Sequence, residues 1–341
     1  MIKQPSILSK TNVFYTLIVG VMIALPFVMD SRTLTILLTQ FCIFAILAMS
    51  YDILLGYTGI ISFGHAMFFG VGAYSTAIML SDYGPSMGIF IASMAVGVVL
   101  SVLISIVSGA LTLRLKNHFY AMFTMAISGL FLVVAEKWRT VTKGNDGFTF
   151  RAPELFRERL YFYLFVVICL VVVFILLKRF VASPFGKVLV AIRENEQRTR
   201  SLGFKTLGYK IVASVVAGAV ASVAGSLYAV SLRFVNTSVM TMDITLDALM
   251  MTIIGGVGTL IGPIIGAGVI EFAQHYLSGL ARDYPIFERW IIFFGILYIL
   301  AVIFFPRGIV GTVQLKYREW TVMKQRKSTP TIVMEEKEGH Q

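Results

Sequence analysis

Nine long stretches without Asp, Glu, Lys or Arg constrain the fold more than any other feature of this chain. Each contains at least 17 residues: 11–29, 33–51, 53–81, 83–113, 117–135, 160–177, 211–232, 248–270 and 290–306. A helix needs about 20 apolar residues to cross the hydrocarbon core of a bilayer. Inside that core every backbone polar group must be paired within the protein, so spanning segments of this kind are helical. The stretches therefore predict an all-α fold, a polytopic transmembrane helical bundle.

The composition excludes several other classes of protein. Hydrophobic residues make up 57% of the chain and charged residues 14%, whereas a typical soluble domain has roughly 25% charged residues. A soluble or disordered chain, a coiled coil and a disulfide scaffold are excluded. The net charge of +11 is interpreted as orientation in a bilayer and not as nucleic-acid binding. The two cysteines, Cys42 and Cys169, lie in apolar stretches, and no metal-binding or redox spacing occurs.

Lys and Arg predict the orientation, because cytoplasmic loops of membrane proteins carry an excess of them. With the N-terminus in the cytoplasm, 19 of the 29 basic residues fall on the cytoplasmic side, although the external loop 136–159 carries six. We expect both termini in the cytoplasm and the first stretch retained as a span. An even number of crossings then requires one stretch to break, and 248–270, with its glycines and Pro263, is the best candidate. About eight to ten helical passes result.

The predicted organisation is a transmembrane permease domain over residues 1–311, a cytoplasmic loop at 183–208, and a basic cytoplasmic tail at 312–341. The Lys and Arg residues of the tail are suited to holding the last span against anionic lipid.

Glycine is concentrated in two segments, GYTGIISFGHAMFFGVGAY from Gly56 and GGVGTLIGPIIGAG from Gly255. Paired interrupted segments in the two halves of a transporter point to its substrate path. Glycine at four-residue spacing equally favours close helix packing, and for the second segment both interpretations stay open. Because the first segment also carries polar groups, it favours the path. The candidate path residues are Gly59, Ser62, Gly64, His65, Gly255, Gly256 and Gly258.

His65 is the one histidine well inside a long apolar stretch. An ionisable group within a membrane is a functional candidate by default, but a neutral imidazole bonded to a neighbour is the competing interpretation. Asp52, Asp243 and Asp247 flank apolar stretches and are expected to reach the membrane interface. In 211–232, small residues recur at four-residue steps, which predicts a helix–helix contact face: Ala217, Gly218, Ala221, Ser222, Gly225, Ser226 and Ala229.

The loop between Lys178 and Lys210 predicts a short amphipathic helix over Lys187–Leu202. Ser183 and Pro184 are typical of a helix start, and Gly203 of a helix end. Such a helix either lies on the lipid surface or docks into a groove on a partner, and its mixed charges favour docking.

Four blocks resemble, in order and spacing, the permease subunits of ABC importers for branched-chain amino acids. They are LLGYTGIISFGHAMFFGVGAY, SPFGKVLVAIRENEQ with the following LGF, IIGGVGTLIGPIIGAG, and FFPRGIVG near Gly311. Within that family the chain is similar to the longer of the two paired permeases. A looser match is TKGNDGF at Thr142, where Lys143 replaces a usual glycine.

The resemblance implies that several subunits share the work of transport. A second permease completes the path, two cytoplasmic ATPase subunits use ATP, and an external solute-binding protein delivers the solute, while this chain binds no cofactor. The loop helix then resembles the family's coupling helix, which implies ATPase coupling at Arg193, Glu194, Glu196 and Gly203. Arg198 and Thr199 replace small residues that are usual there. The first glycine segment falls in the block thought to line the path.

Three alternatives stay open at this point. The alternative cargo within the same class is urea or a short amide, because closely similar permeases carry urea. An ion-coupled secondary carrier would need intramembrane acids or bases, and the nine stretches contain none except histidine. A membrane-embedded enzyme would need convergent catalytic groups, and the stretches show no such set. The chain has no Gly-x-x-x-x-Gly-Lys-Ser/Thr phosphate loop, so it is expected to be a transport subunit and not an enzyme.

Overall fold

A computed structural model describes residues 31–113, 117–283 and 308–312, and single positions at 20, 22, 25, 26, 292, 295, 296, 299 and 303. Its α-helices are α1 (Arg32–Asp52), α2 (His65–Tyr83), α3 (Met87–Thr112), α4 (Asn117–Lys137), α5 (Arg139–Thr142), α6 (Arg159–Ala182), α7 (Pro184–Glu194), α8 (Glu196–Ser201), α9 (Thr206–Leu232), α10 (Met242–Gly255) and α11 (Ile261–Asp283). A π-helical segment, Ile53–Tyr57, continues α1. Short 3₁₀ turns lie at Gly144–Asp146, Glu154–Phe156 and Thr237–Met240.

The two strands are each two residues long and form one antiparallel pair, β1 (Phe148–Thr149) with β2 (Phe234–Val235). This pair joins the loop before α6 to the loop after α9, and Arg233 adds hydrogen bonds to the carbonyls of Phe156 and Arg157. The predicted all-α class is confirmed, because these four residues are the only strand residues in the part of the chain that the structure describes.

Five of the described helices are long and apolar enough to cross a membrane: α1 with its π-helical continuation, α3, α4 from Phe119 onward, α6 and α9. The chain is therefore a multi-pass membrane protein. In α1, 72% of the most apolar window is buried inside the protein, against 22% in α4. Helix α1 thus runs through the centre of the bundle, and α4 lies at its edge. The predicted spans 11–29 and 290–306 fall mostly outside the described residues, as does the tail beyond residue 312.

Close packing of α2 against α9 confirms the predicted small-residue contact face. A Cβ atom added at Gly225 would lie 1.9 Å from the carbonyl oxygen of Phe69, and one added at Gly72 would lie 2.0 Å from that of Ser222. The Ser226 hydroxyl donates to the carbonyl of Gly72 at 3.1 Å. Small residues let the two backbones touch, as is usual where helices associate in lipid.

The stretch 248–270 breaks, as predicted from its glycines and proline. Helix α10 ends at Gly255, and Gly256, Gly258 and Leu260 follow with φ of +127°, +79° and +55°. Thr259 supports the turn: its hydroxyl donates to Gly256 O at 2.8 Å and accepts from the N–H of Gly262 at 2.9 Å.

The two helices on either side of this turn pack against each other as an antiparallel hairpin. A Cβ at Gly255 would lie 1.8 Å from Gly262 O, and one at Gly266 would lie 1.8 Å from Met251 O. The four-residue glycine spacing within α11 therefore serves packing.

The long stretch 53–81 also contains a break. After the π-helical segment, the Thr58 hydroxyl donates to the carbonyls of Ile53 and Leu54, which satisfies two acceptors at the helix end. Gly59 follows with φ of +71°. The chain then crosses a short irregular segment before α2 begins at His65, so one predicted stretch supplies both a broken segment and a helix.

Candidate functional site

The carboxylate of Asp52 joins the two broken segments. Asp52 is fully buried at the end of α1. One carboxylate oxygen accepts the N–H of Gly258 at 2.7 Å, and the other accepts the N–H of Leu260 at 3.2 Å. Both donors belong to the turn between α10 and α11, where no helical carbonyl is available to them. Hydrogen bonds from backbone N–H groups to a carboxylate are among the stronger ones in proteins, so Asp52 holds the α10–α11 turn against the end of α1.

Arg193, in the last turn of α7, reaches the same place from the loop. Its guanidinium donates to the carbonyl of Gly56 in the π-helical segment and interacts electrostatically with Asp52. A Cβ at Gly258 would lie 2.9 Å from Nη1 of Arg193, and a Cβ at Gly59 would lie 3.1 Å from its Cγ. Glycine at these positions leaves the space that the arginine occupies. We call Asp52, Gly56, Arg193 and Gly258 the junction.

The described part of the fourth sequence block, from Gly308 onward, lies beside the junction. Gly308 has φ of +71°, and a Cβ added to it would lie 2.3 Å from the Cα of Gly256. The four blocks of the sequence, separated by up to about 250 residues along the chain, therefore meet at one end of the bundle. Gly56, Gly256, Gly258 and Gly308 are in close contact with one another's backbone there.

Ser62, Gly64 and His65 lie deeper in the bundle, at the start of α2. All three are buried. Nε2 of His65 lies 2.7 Å from the Ser50 hydroxyl, and the ring meets Tyr51 edge-on at 5.2 Å between centroids. Nδ1 of His65 is buried without a hydrogen-bond partner among the described residues. The assignment of these residues to a path stays a prediction.

The other predicted path residues lie at or beside the junction. Gly59 is exposed, Gly258 is half-buried, and Gly255 and Gly256 are buried in the α10–α11 hairpin. The structure therefore separates the candidate path residues into two groups, one around His65 and one around Arg193. A cavity of about 260 Å³ lies elsewhere, between the starts of α1 and α6 and the end of α9.

The loop helix begins where the sequence predicts. The Ser183 hydroxyl accepts the N–H of Gly186 at 3.3 Å, and Pro184 takes the first helical position. Leu189 and Ile192 form the buried face of α7. The predicted single helix over Lys187–Leu202 is wrong, however, because Asn195 is extended (φ −158°, ψ 98°) and separates α7 from α8.

Asn195 breaks the helix because its side chain starts a new one. Its amide oxygen accepts the N–H of Arg198 at 2.9 Å, which caps α8. Leu202, predicted on the apolar face of one continuous helix, is instead 71% exposed. Gly203 ends α8 with φ of +91°, as its position in the sequence predicts.

Glu196 ties the loop to the start of α9. Its carboxylate bonds to Arg200 at 2.7 Å, to Lys210 at 2.6 Å and to the Thr206 hydroxyl at 3.0 Å. Partial burial by itself would raise the pKa of Glu196, but the hydrogen bond and charge of Lys210, with the bonds from Thr206 and Arg200, outweigh it and hold the pKa below its ordinary value. Glu194, by contrast, is exposed. ATPase coupling through Arg193, Glu194, Glu196 and Gly203 stays a prediction.

Two buried carboxylates are missing from the predicted site. The interpretation of Asp52 as an interface residue is wrong, and Glu271 in α11 is only 8% exposed, with Asp247 of α10 near enough to interact with its charge. Asp52 and Glu271 each lie where an uncharged stretch ends, so the lengths of the stretches do not indicate that these acids are buried. The signal available for Asp52 was its place directly before the first glycine block, because an irregular segment exposes backbone N–H groups that a carboxylate can accept.

Comparison with known proteins gives concordant matches over most of the chain. Residues 33–303 match the family model described as branched-chain amino acid transport system / permease component. The high-affinity branched-chain amino acid transport system permease protein LivM of Salmonella typhimurium is 25% identical over 329 residues, covering 88% of this chain and 75% of that protein. The probable branched-chain amino acid transport permease LivM of Methanocaldococcus jannaschii is 23% identical, covering 83% and 94%.

A shorter match is to a permease whose name gives a different substrate. The autoinducer 2 import system permease protein LsrC of Photorhabdus laumondii is 32% identical over 110 residues, about a third of each chain. No solved structure matches the chain.

Proposed function

The chain belongs to the family of branched-chain amino acid transport permease components, and from this premise we propose that it is the membrane subunit of an ATP-driven importer of branched-chain amino acids. The substrate class is supported by the names of its relatives from Salmonella typhimurium and Escherichia coli, both high-affinity branched-chain amino acid permeases. The chain is a transport component and carries no catalytic residue in this proposal.

The observation that carries the proposal is the contact of Arg193 with the broken segments. A loop helix between two membrane helices places a side chain directly on the backbone of a helix break and beside a second break. In such an importer ATP is hydrolysed by partner subunits outside the membrane, so the membrane subunit must receive their movement through a contact on its surface. Helix α7 is exposed on one side and bonded to the interrupted helices on the other, which is the arrangement that such a transfer requires.

The proposal includes the partners and the orientation. A second permease subunit, two cytoplasmic ATPase subunits and an external solute-binding protein complete the importer, in a bacterial plasma membrane with its surrounding lipid. ATP is used by the ATPase partners. Gly308 lies at the same end of the bundle as α7, which supports placing the C-terminal tail on the cytoplasmic side with the loop.

Uptake of labelled solutes tests the proposal. Cells that lack the chain should lose uptake of leucine, isoleucine and valine, and a plasmid copy should restore it. ATP depletion should abolish the restored uptake, whereas an ionophore that collapses ion gradients at constant ATP should not. Uptake that follows the ion gradient would overturn the ATP-driven mechanism in favour of an ion-coupled carrier, and loss of urea uptake alone would move the substrate.

A further inference from the structure

We propose that Arg193 and Asp52 are positioning residues of the transport cycle, which make the loop helix α7 and both broken segments move as one unit. The inference rests on the proposed function only in assuming that a partner ATPase moves α7. It assigns a specific role to two residues: Arg193 pulls on the segment after α1, and Asp52 passes the displacement to the turn between α10 and α11.

The first step is the contact between α7 and the π-helical segment. The Arg193 guanidinium donates to the carbonyl of Gly56. An α-helix offers few free carbonyls, and the last turn of a helix is where they occur. Arginine is suited to such a contact because its guanidinium is rigid, always charged and weakly hydrated. A displacement of α7 is therefore transmitted to the backbone of the break.

The second step connects the break after α1 to the α10–α11 turn. The buried Asp52 carboxylate accepts two N–H groups of that turn. If the turn moved away without Asp52, both donors and the carboxylate would be left buried and unpaired, which is costly. The turn and the end of α1 are thus held together throughout a movement.

The third step is that the two broken segments are in direct contact. A Cβ at Gly56 would lie 2.1 Å from an Asp52 carboxylate oxygen and 2.5 Å from the backbone nitrogen of Gly258. The segments therefore touch backbone to backbone, without a flexible side chain between them. Packed protein is only slightly compressible, so a contact of this kind passes on small displacements.

The first test compares two arginines of the same loop. The complete importer is purified through a tag on this chain and reconstituted in liposomes with its binding protein. Arg193→Gln should lower leucine transported per ATP hydrolysed at least tenfold, while assembly and ATP hydrolysis persist. Arg198→Gln, on the exposed side of α8, is the matched control and should keep the wild-type ratio. An unchanged ratio in Arg193→Gln would overturn the proposal.

A second test replaces the arginine link by a covalent one. An ideal Cβ on Gly59 lies 3.6 Å from the Cβ of Arg193, which falls within the range of about 3.5–4.5 Å for disulfides. The double variant Gly59→Cys/Arg193→Cys should be uncoupled when reduced. Once oxidation has formed the bond, verified by mass spectrometry, the ratio should recover to at least half of the wild-type value.

Continued uncoupling after cross-linking would show that α7 must move relative to the break, and would overturn the proposal. The double variant Gly59→Ala/Arg193→Ala, which carries the same backbone strain at φ of +71° but cannot form the bond, is the control and should stay uncoupled under oxidation. A wild-type assembly without ATP-dependent leucine uptake would instead refute the proposed function, so the two failures are distinguishable.

Discussion

Glycine serves different purposes in two regions of the bundle, the α2–α9 contact and the junction. In the α2–α9 contact, Gly72 and Gly225 are helical and let two backbones approach. In the junction, Gly258 has a positive φ and leaves space for a charged side chain. The first region is held mainly by close packing, whereas the second combines close backbone contact with charged hydrogen bonds. Close packing transmits a push, and the charged hydrogen bonds of the junction allow it to transmit a pull as well.

The largest expected effect is the loss of stability caused by a substitution in the α2–α9 contact. Gly225→Val should destabilise the protein by more than about 3 kcal/mol, because a Cβ there would lie 1.9 Å from the Phe69 carbonyl oxygen. Thermal unfolding in detergent, followed by size-exclusion chromatography, measures the loss. Gly208→Val is the matched control, since nothing lies within 4 Å of a Cβ at that position. Equal stability of the two variants would show that α2 and α9 are not in contact.

Removal of the junction carboxylate is expected to lower the stability of the protein less than Gly225→Val does. Asp52→Ala should destabilise the protein by about 2–3 kcal/mol, because two buried N–H groups lose a charged acceptor. Hydrogen exchange at Gly258 and Leu260, measured by mass spectrometry, should accelerate, while exchange in α9 should not. Uniform acceleration over the whole chain would contradict a local role for Asp52.

The substitution Gly258→Ala distinguishes an effect on stability from an effect on transport. The substitution should cost only about 1–2 kcal/mol, the usual cost of a left-handed conformation for a residue with a Cβ. It should still reduce uptake strongly, since the added methyl group meets the Arg193 guanidinium. Measuring unfolding and uptake on the same preparation checks both. If uptake fell only in proportion to stability, the junction would be a packing contact like the α2–α9 region.

The smallest effect concerns the pH dependence of the loop. Because the pKa of Glu196 is held below its ordinary value in the folded protein, its contribution is complete above the pKa of the unfolded chain and is lost as pH falls through the lower folded pKa. Limited proteolysis of the loop should therefore speed up on acidification. Glu196→Gln should remove most of this pH dependence, at a cost of about 1 kcal/mol or less. An unchanged pH profile in the variant would exclude Glu196 as its source.

Much of the fold could be predicted because local rules decide it. Stretch length predicts the spans, the four-residue spacing of small residues predicts the α2–α9 contact, and glycines with Pro263 predict the break in 248–270. The split of the loop helix at Asn195 was missed, since the apolar periodicity of Lys187–Leu202 continues through it. An asparagine that caps a new helix is a local signal, and it outweighed that periodicity.

The candidate site was predicted only in part. The sequence blocks contain Arg193, Gly56 and Gly258, but the spacing of the blocks does not show that these three residues are in contact. The sequence predicts that Asp52 reaches the membrane interface, because it lies at the end of an apolar stretch. Its partners are N–H groups more than 200 residues further along the chain, and no pattern in one sequence connects them.

By itself, the sequence determined that this chain is a helical membrane protein, where most of its helices lie, and which glycine segments are interrupted. These properties depend on the transfer of apolar side chains into lipid and on backbone conformation, which are decided within about 20 neighbouring residues. The tertiary structure alone decided that the interrupted segments meet at Asp52 and that Arg193 contacts them there. Those contacts depend on which distant backbone groups are left unpaired once the helices have packed, and that is a property of the folded chain.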